Sequence, residues 1–280
     1  MLGWLTDPFA SPLAQRALLE VLILSLACGP LGVWVLLYRD AYAAESMSHG
    51  MLPGLVVAAL TGAPLVLGAT VGVLVAAAGI ALVARDERLG GDTGVAVVVS
   101  ALLGLGAMLA LSPETPPRLQ ELLFGDLLGV GASDLVVAGA LSLGVVGALV
   151  AGHRSLALVG FDRGSARALG AGPLRWELAL LAVLGLTTVA AVQGLGNLLL
   201  VALILAPGTA ALSLVRRLPV ALLLACGLAA LSGVAGLIAS FHLGIAAGAS
   251  VALCAVAVAL AAWTIDARPR RGEHRRDAPS

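Results

Sequence analysis

The sequence predicts an all-α fold, a polytopic bundle of about nine transmembrane helices, and three observations predict it. Of 280 residues 60% are hydrophobic and 11% charged, and the mean hydropathy is +1.05. Soluble domains are about half apolar and a quarter charged. The few charges are also clustered: no Asp, Glu, Arg or Lys falls within 46–84, 178–215 or 218–265. These are membrane-spanning lengths, since a crossing takes about 20 apolar residues. Finally, the arginines sit in the connecting segments rather than in the apolar runs. A soluble globular enzyme is excluded by this composition.

In order, the apolar spans run near 17–38, 46–61, 64–84, 93–112, 135–152, 177–192, 195–215, 219–238 and 243–264. Before the first lie Asp7, Pro8 and Pro12, with no basic stretch leading into an apolar one, so no cleavable signal peptide is expected. The second span is short and carries Pro53 and Gly54, which predicts a broken or re-entrant segment and would leave eight full crossings. Gly68 and Gly72, in the third, have the spacing that lets helices approach closely, as do Gly125 and Gly129. Asp92 opens the fourth span after Gly90 and Gly91, a good N-terminal cap. The segment 113–134 is acidic, with Glu114, Glu121, Asp126 and Asp134 against Arg118, and 119–128 reads as a short interfacial helix. Such a surface favours an incoming cation or a partner with basic patches.

The connection 153–176 is the longest between spans on its side. It contains a short helix near 165–169, ended by Gly170 and Gly172 and followed by Pro173. A short exposed helix with small residues fits a groove on a soluble partner. The stretch 191–211 has Gln193 and Asn197 at its start, four apart and able to bond across helices, and Pro207 and Gly208 near its end. Residues 1–266 read as one membrane domain and 267–280 as a basic tail without fixed structure.

The positive-inside rule orients the chain. Placing 153–176 in the cytoplasm puts Arg154, Arg163, Arg167 and Arg175 inside, then Arg216 and Arg217, then the arginines of the tail. Counting backwards adds Arg39, Arg85 and Arg88, and only Arg16 and Arg118 remain outside. The expected location is therefore a bacterial plasma membrane, with multiple passes and a cytoplasmic C-terminus.

Other classes are excluded by what the chain lacks. All 16 basic residues are arginine, so neither a phosphate-binding loop with its lysine nor a Schiff-base lysine can form. ATP, if it drives this protein, is hydrolysed by another chain. Cys28, Cys226 and Cys254 lie in apolar spans and read as small packing residues. The net charge of zero gives no general attraction to nucleic acid.

Chemistry concentrates in RDAYAAESMSHGMLPG, residues 39–54. Glu45 and His49 are four apart, so on a helix they share a face. A carboxylate with an imidazole suits Zn²⁺, Mn²⁺ or Fe²⁺, and ionisable groups at membrane depth mark functional sites. The competing reading places Glu45 at the interface and pairs His49 with a backbone carbonyl. Pro53 and Gly54 break the helix just beyond and free carbonyls there. Asp92, Asp126 and His242 are the weaker metal candidates; His153 and His274 are assigned nothing.

With these segments in view, the chain resembles the permease subunits of zinc/manganese/iron ABC importers. The likeness covers roughly 15–260: QRALLEVLILSLACGPLGVWVLLYRD, SHGMLPG, LLFGDLLGV, FDRGSARALGAG and AVQGLGNLLLVALILAPGTAA, in that order. It implies that Glu45 and His49 lie on the metal pathway, with Glu45 where the family usually has Asp. It also implies that 153–176 is the loop offered to the ATPase, through Phe161, Asp162, Ala166 and Gly170. The implied assembly is a homodimer of permeases with cytoplasmic ATP-binding subunits and an extracytoplasmic metal-binding protein. No cofactor is bound permanently and no nucleic acid is involved; the metal is cargo. The expected function is thus the membrane subunit of an ATP-driven divalent-metal importer, zinc foremost, then manganese or iron. The alternative is an ATPase-independent secondary transporter or cation channel, which accounts for the Glu/His pair but less well for 153–176.

Overall fold

The computed structural model describes the backbone of residues 7–83, 91–112, 131–195 and 197–273, and their side chains except at 91, 192–195, 197–198 and 267–273. Every regular element among them is helical. The helices are α1 (Pro12–Tyr38), α2 (Ala41–Gly50), α3 (Leu52–Thr61), α4 (Leu65–Val83), α5 (Gly91–Ala110), α6 (Ala132–Phe161), α7 (Arg163–Ala168), α8 (Pro173–Leu195), α9 (Asn197–Leu214), α10 (Leu218–Leu243) and α11 (Ala247–Glu273). Seven of them are long and apolar enough to cross a membrane, and α9 is a shorter apolar helix. The fold is therefore an all-α membrane bundle. The second expected span is α2 plus α3, broken at Met51. Asp126, Arg85, Arg88, Arg118, the acidic stretch 113–130 with its expected helix and the Gly125/Gly129 pair lie outside the described residues. So do 274–280; the tail expected from 267 first continues α11 as far as Glu273.

Local chemistry sets the ends. Ser11 caps α1 by accepting the Ala14 N–H at 3.2 Å, with Pro12 in the first turn. Arg39 closes α1 in the left-handed region, φ 65°, and is the one non-glycine residue with positive φ among those described. Pro53, in the first turn of α3, has no N–H for the His49 carbonyl four residues back. Helix α2 therefore ends at Gly50, and the His49 carbonyl accepts the Met51 N–H instead.

Helix α1 is central, packed against α10, α9 and α6. It meets α10 at Gly29, where an added Cβ would lie 2.6 Å from the Cys226 backbone, and α9 at Gly32, against the Ile204 carbonyl. With little hydrophobic drive between helices in lipid, such close backbone contact carries the association. Gly68 and Gly72 serve α4 in the same way, against Gly54 and Met51. Helix α8 joins this half to α2–α5 by touching α1, α2, α4 and α6.

Candidate metal pathway and partner-facing helix

Glu45 and His49 lie one turn apart on α2, Glu45 exposed and His49 half-buried. Five and nine residues beyond Asp40, at 1.5 Å per residue, they stand about 8 and 13 Å up the helix. For comparison, a bundle that crosses a membrane passes about 30 Å of hydrocarbon. Around His49 the packing is tight: Met47, Ser48, Gly50 and Met51 are buried, and Ser48 donates its hydroxyl to the Glu45 carbonyl at 3.2 Å. A Cβ on Gly50 would stand 2.7 Å from the Ala76 Cβ of α4. The pair is therefore carried on a rigid turn that ends at the break.

The weaker candidates are not brought to this pair. Asp92 is exposed in the first turn of α5, and its charge acts on Asp40. His242 is exposed at the end of α10, its ring edge-on to Phe241 at 5.3 Å. Because α10 runs antiparallel to α1, matching Gly29 to Cys226 and Val21 to Gly233, His242 sits at the opposite end of the bundle from Arg39. Among the described residues no group of three or more His, Cys, Asp or Glu could hold a metal.

The connection after α6 is shorter than 153–176. Residues 153–161 stay helical because α1 holds them: His153 packs edge-on against Trp34 at 5.5 Å, and the Tyr38 hydroxyl donates to the Leu156 carbonyl at 3.1 Å. Asp162 then caps α7, accepting the N–H groups of Gly164 at 2.8 Å and Ser165 at 3.2 Å and the Ser165 hydroxyl. These bonds hold its carboxyl below the usual range, the Ser165 hydroxyl contributing most. Gly170 stops the helix at φ 77°, and Pro173 starts α8. Phe161, Asp162 and Gly170 are exposed, whereas Ala166 is fully buried and anchors α7 to its own chain.

Three acids escaped the sequence reading. Glu20, within α1, is 1% exposed, and its Oε2 has no hydrogen-bond partner among the described residues. Its only signal was an acid inside the first span. Asp40 and Glu177, at the ends of spans, were given no role. In the fold they converge near Arg163, whose Nη2 lies 3.7 Å from Glu177 Oε1. Asp40 is pushed up to about 7, first by burial and then by the negative charge of Glu177, while Arg163 opposes the shift and Asp92 adds to it.

Comparison with known proteins gives this geometry a context. Residues 10–266 match the model of the ABC 3 transport family. The chain is 31% identical over 253 residues to a probable iron transport system membrane protein of Haemophilus influenzae, covering 90% of this chain and 93% of that one. It is 33% identical to the manganese transport system membrane protein MntC of Halalkalibacterium halodurans, covering 92% and 88%. Among solved structures, PsaBC from Streptococcus pneumoniae in complex with Fab superposes with a TM-score of 0.82 at 25% identity, over 94% of this chain and 95% of that one.

Proposed function

The chain belongs to the ABC 3 transport family, and from that premise we propose that it is the membrane-spanning permease of an ATP-driven importer of a first-row divalent metal ion. The observation that carries the reading is Glu45 and His49, one turn apart on α2, with the helix broken at Met51 just beyond them. A carboxylate oxygen and an imidazole nitrogen form a borderline-to-hard donor pair. The ion is cargo. Iron and manganese, named in the two relatives, stand ahead of the zinc that the sequence placed first.

One chain offers fewer donors than the four to six such ions take. A second copy related by a two-fold axis would bring the same pair to the same depth and complete the shell. Helix α7 faces the ATPase through Phe161, Asp162 and Gly170, with Ala166 holding it from beneath. ATP binding in that partner shifts α7 and switches the bundle between two packings. The extracytoplasmic metal-binding protein delivers the ion at the end of the bundle that carries His242.

The test is metal uptake by metal-starved cells expressing the whole transporter, offered Mn²⁺, Fe²⁺ and Zn²⁺ in turn. Wild type is compared with Glu45→Ala and His49→Ala at matched membrane levels. Loss of uptake of one metal in both variants is expected. Unimpaired uptake in both would remove the pair from the pathway, and uptake without the ATPase would favour a secondary transporter or channel.

A further inference from the structure

A partly exposed charge cluster links α7 to the start of α2. Asp40 follows Arg39 at the α1–α2 junction, and its carbonyl accepts the Ala44 N–H at 3.1 Å, opening the helix that carries Glu45 and His49. Its Oδ2 is buried and has no hydrogen-bond partner among the described residues. A buried acceptor left unpaired is costly, and such groups call for an explanation. The obvious partner stands nearby. Arg163 opens α7, lies within electrostatic reach of Asp40, and is held only loosely by Glu177. Its 3.7 Å separation from Glu177 is well beyond the 2.7–2.9 Å of a strong charge-assisted bond, and its side chain is 52% exposed.

The backbone beside Asp40 is suited to movement. Arg39 sits at φ 65°, a conformation that side-chain-bearing residues rarely hold and that clusters at switch regions. The two walls around the junction are fixed by contrast. Tyr38 is tied to Leu156, and Trp34 packs against His153, so the ends of α1 and α6 move together. The free adjustments are the rotation at Arg39 and the swing of the Arg163 side chain.

We propose that Arg163 is a two-position latch, resting on Glu177 in this conformation and exchanging to Asp40 when α7 is displaced, so that the start of α2 follows. The proposal rests on the reading of α7 as the ATPase-facing helix. Movement at Asp40 reaches Glu45 within about 8 Å of helix. Exchange satisfies the Asp40 oxygen and releases Glu177, whose side chain is 16% exposed and so retains some access to solvent. The raised proton affinity of Asp40 agrees with a carboxyl that becomes fully charged only once a cation arrives. Arg163, Asp40 and Glu177 are positioning residues, since none touches the cargo.

The experiment uses the whole transporter, permease with its ATPase, in proteoliposomes, and reads ATP hydrolysis, Mn²⁺ uptake and ATPase copurification together. Asp40→Asn and Arg163→Ala should each keep the ATPase bound and hydrolysing, while uptake per ATP falls roughly 10-fold, within the range of allosteric couplings. The double variant should be no worse than either single one, as for partners in one interaction. Arg163→Lys should recover part of the loss, because it keeps the charge but not the fork. Glu177→Gln should lose least. Uptake per ATP equal to wild type in Arg163→Ala, multiplied losses in the double variant, or loss of ATPase binding in parallel with uptake would each overturn the latch. If Asp40→Asn does not assemble, Arg163→Ala and Arg163→Lys decide alone. A wild-type transporter without ATP-dependent uptake would overturn the functional reading itself, a different outcome from any of these.

Discussion

Gly50→Ala tests whether the Glu45/His49 turn must be seated tightly to work. The added methyl would stand 2.7 Å from the Ala76 Cβ, where ordinary contacts begin at 3.4 Å. Ala76 is fully buried on α4 and has no flexible end to move aside. Helix α2 must therefore retreat from α4 by about 0.7 Å, within the scale of overpacking that costs roughly 1–3 kcal/mol. The displacement lands on the residue after His49. Metal–ligand distances tolerate only about ±0.2 Å, and displacements near 1 Å can cost about 100-fold in rate. We expect metal uptake to fall roughly 10-fold or more at matched membrane levels. Adding Ala76→Gly removes the opposing carbon and should restore uptake, a positive coupling between contacting residues. Gly104→Ala is the control, since its added Cβ meets nothing within 4 Å. Normal uptake in Gly50→Ala, or a double variant no better than the single one, would refute the reasoning.

The remaining predictions concern packing and the cap of α7. Gly29→Ala should lower the melting temperature of the detergent-purified protein, because the methyl would press on the Cys226 backbone at 2.6 Å; an overpacking cost of about 1–3 kcal/mol corresponds to roughly 2–5 °C. Gly227→Ala, open within 4 Å, should not lower it, and equal shifts in the two would contradict the close α1–α10 contact. Asp162 holds its charge through its cap bonds, so its folded carboxyl titrates below the unfolded one. Its contribution is therefore complete at neutral pH and is lost only as pH falls through that depressed range. Hydrogen exchange across Arg163–Ala168 should show protection constant from pH 7.5 to about 5, and absent throughout in Asp162→Ala. Protection lost between those two pH values would show that another group controls the cap.

The fold class was legible because hydropathy is additive along the chain. Spans 64–84, 93–112 and 219–238 lie within about two residues of α4 and α5, and within α10. The break in the second span was also legible, expected at Pro53 and Gly54 and found at Met51, because a proline's missing N–H acts on a carbonyl four residues away and needs nothing distant. The end of α6 was not: 153–161 looks like a loop until Trp34 and Tyr38, more than a hundred residues earlier, hold it helical. Similarly, an alanine in a short cytoplasmic-looking helix reads as exposed, yet Ala166 is the buried member of α7.

The sequence by itself determined that this chain lives in a membrane, roughly where its apolar spans lie, that the second is broken near Pro53, and that Glu45 and His49 share a turn. Each depends on local hydrogen bonding or on composition. Only the tertiary structure decided which glycines mate across helices, where Glu20 is buried, and that Asp40, Arg163 and Glu177 meet. The physical reason is that these helices are apolar on nearly every side, as lipid requires. No polar stripe marks which face meets protein, so partners are chosen by shape and by a few scattered charges, which become neighbours only when the bundle closes.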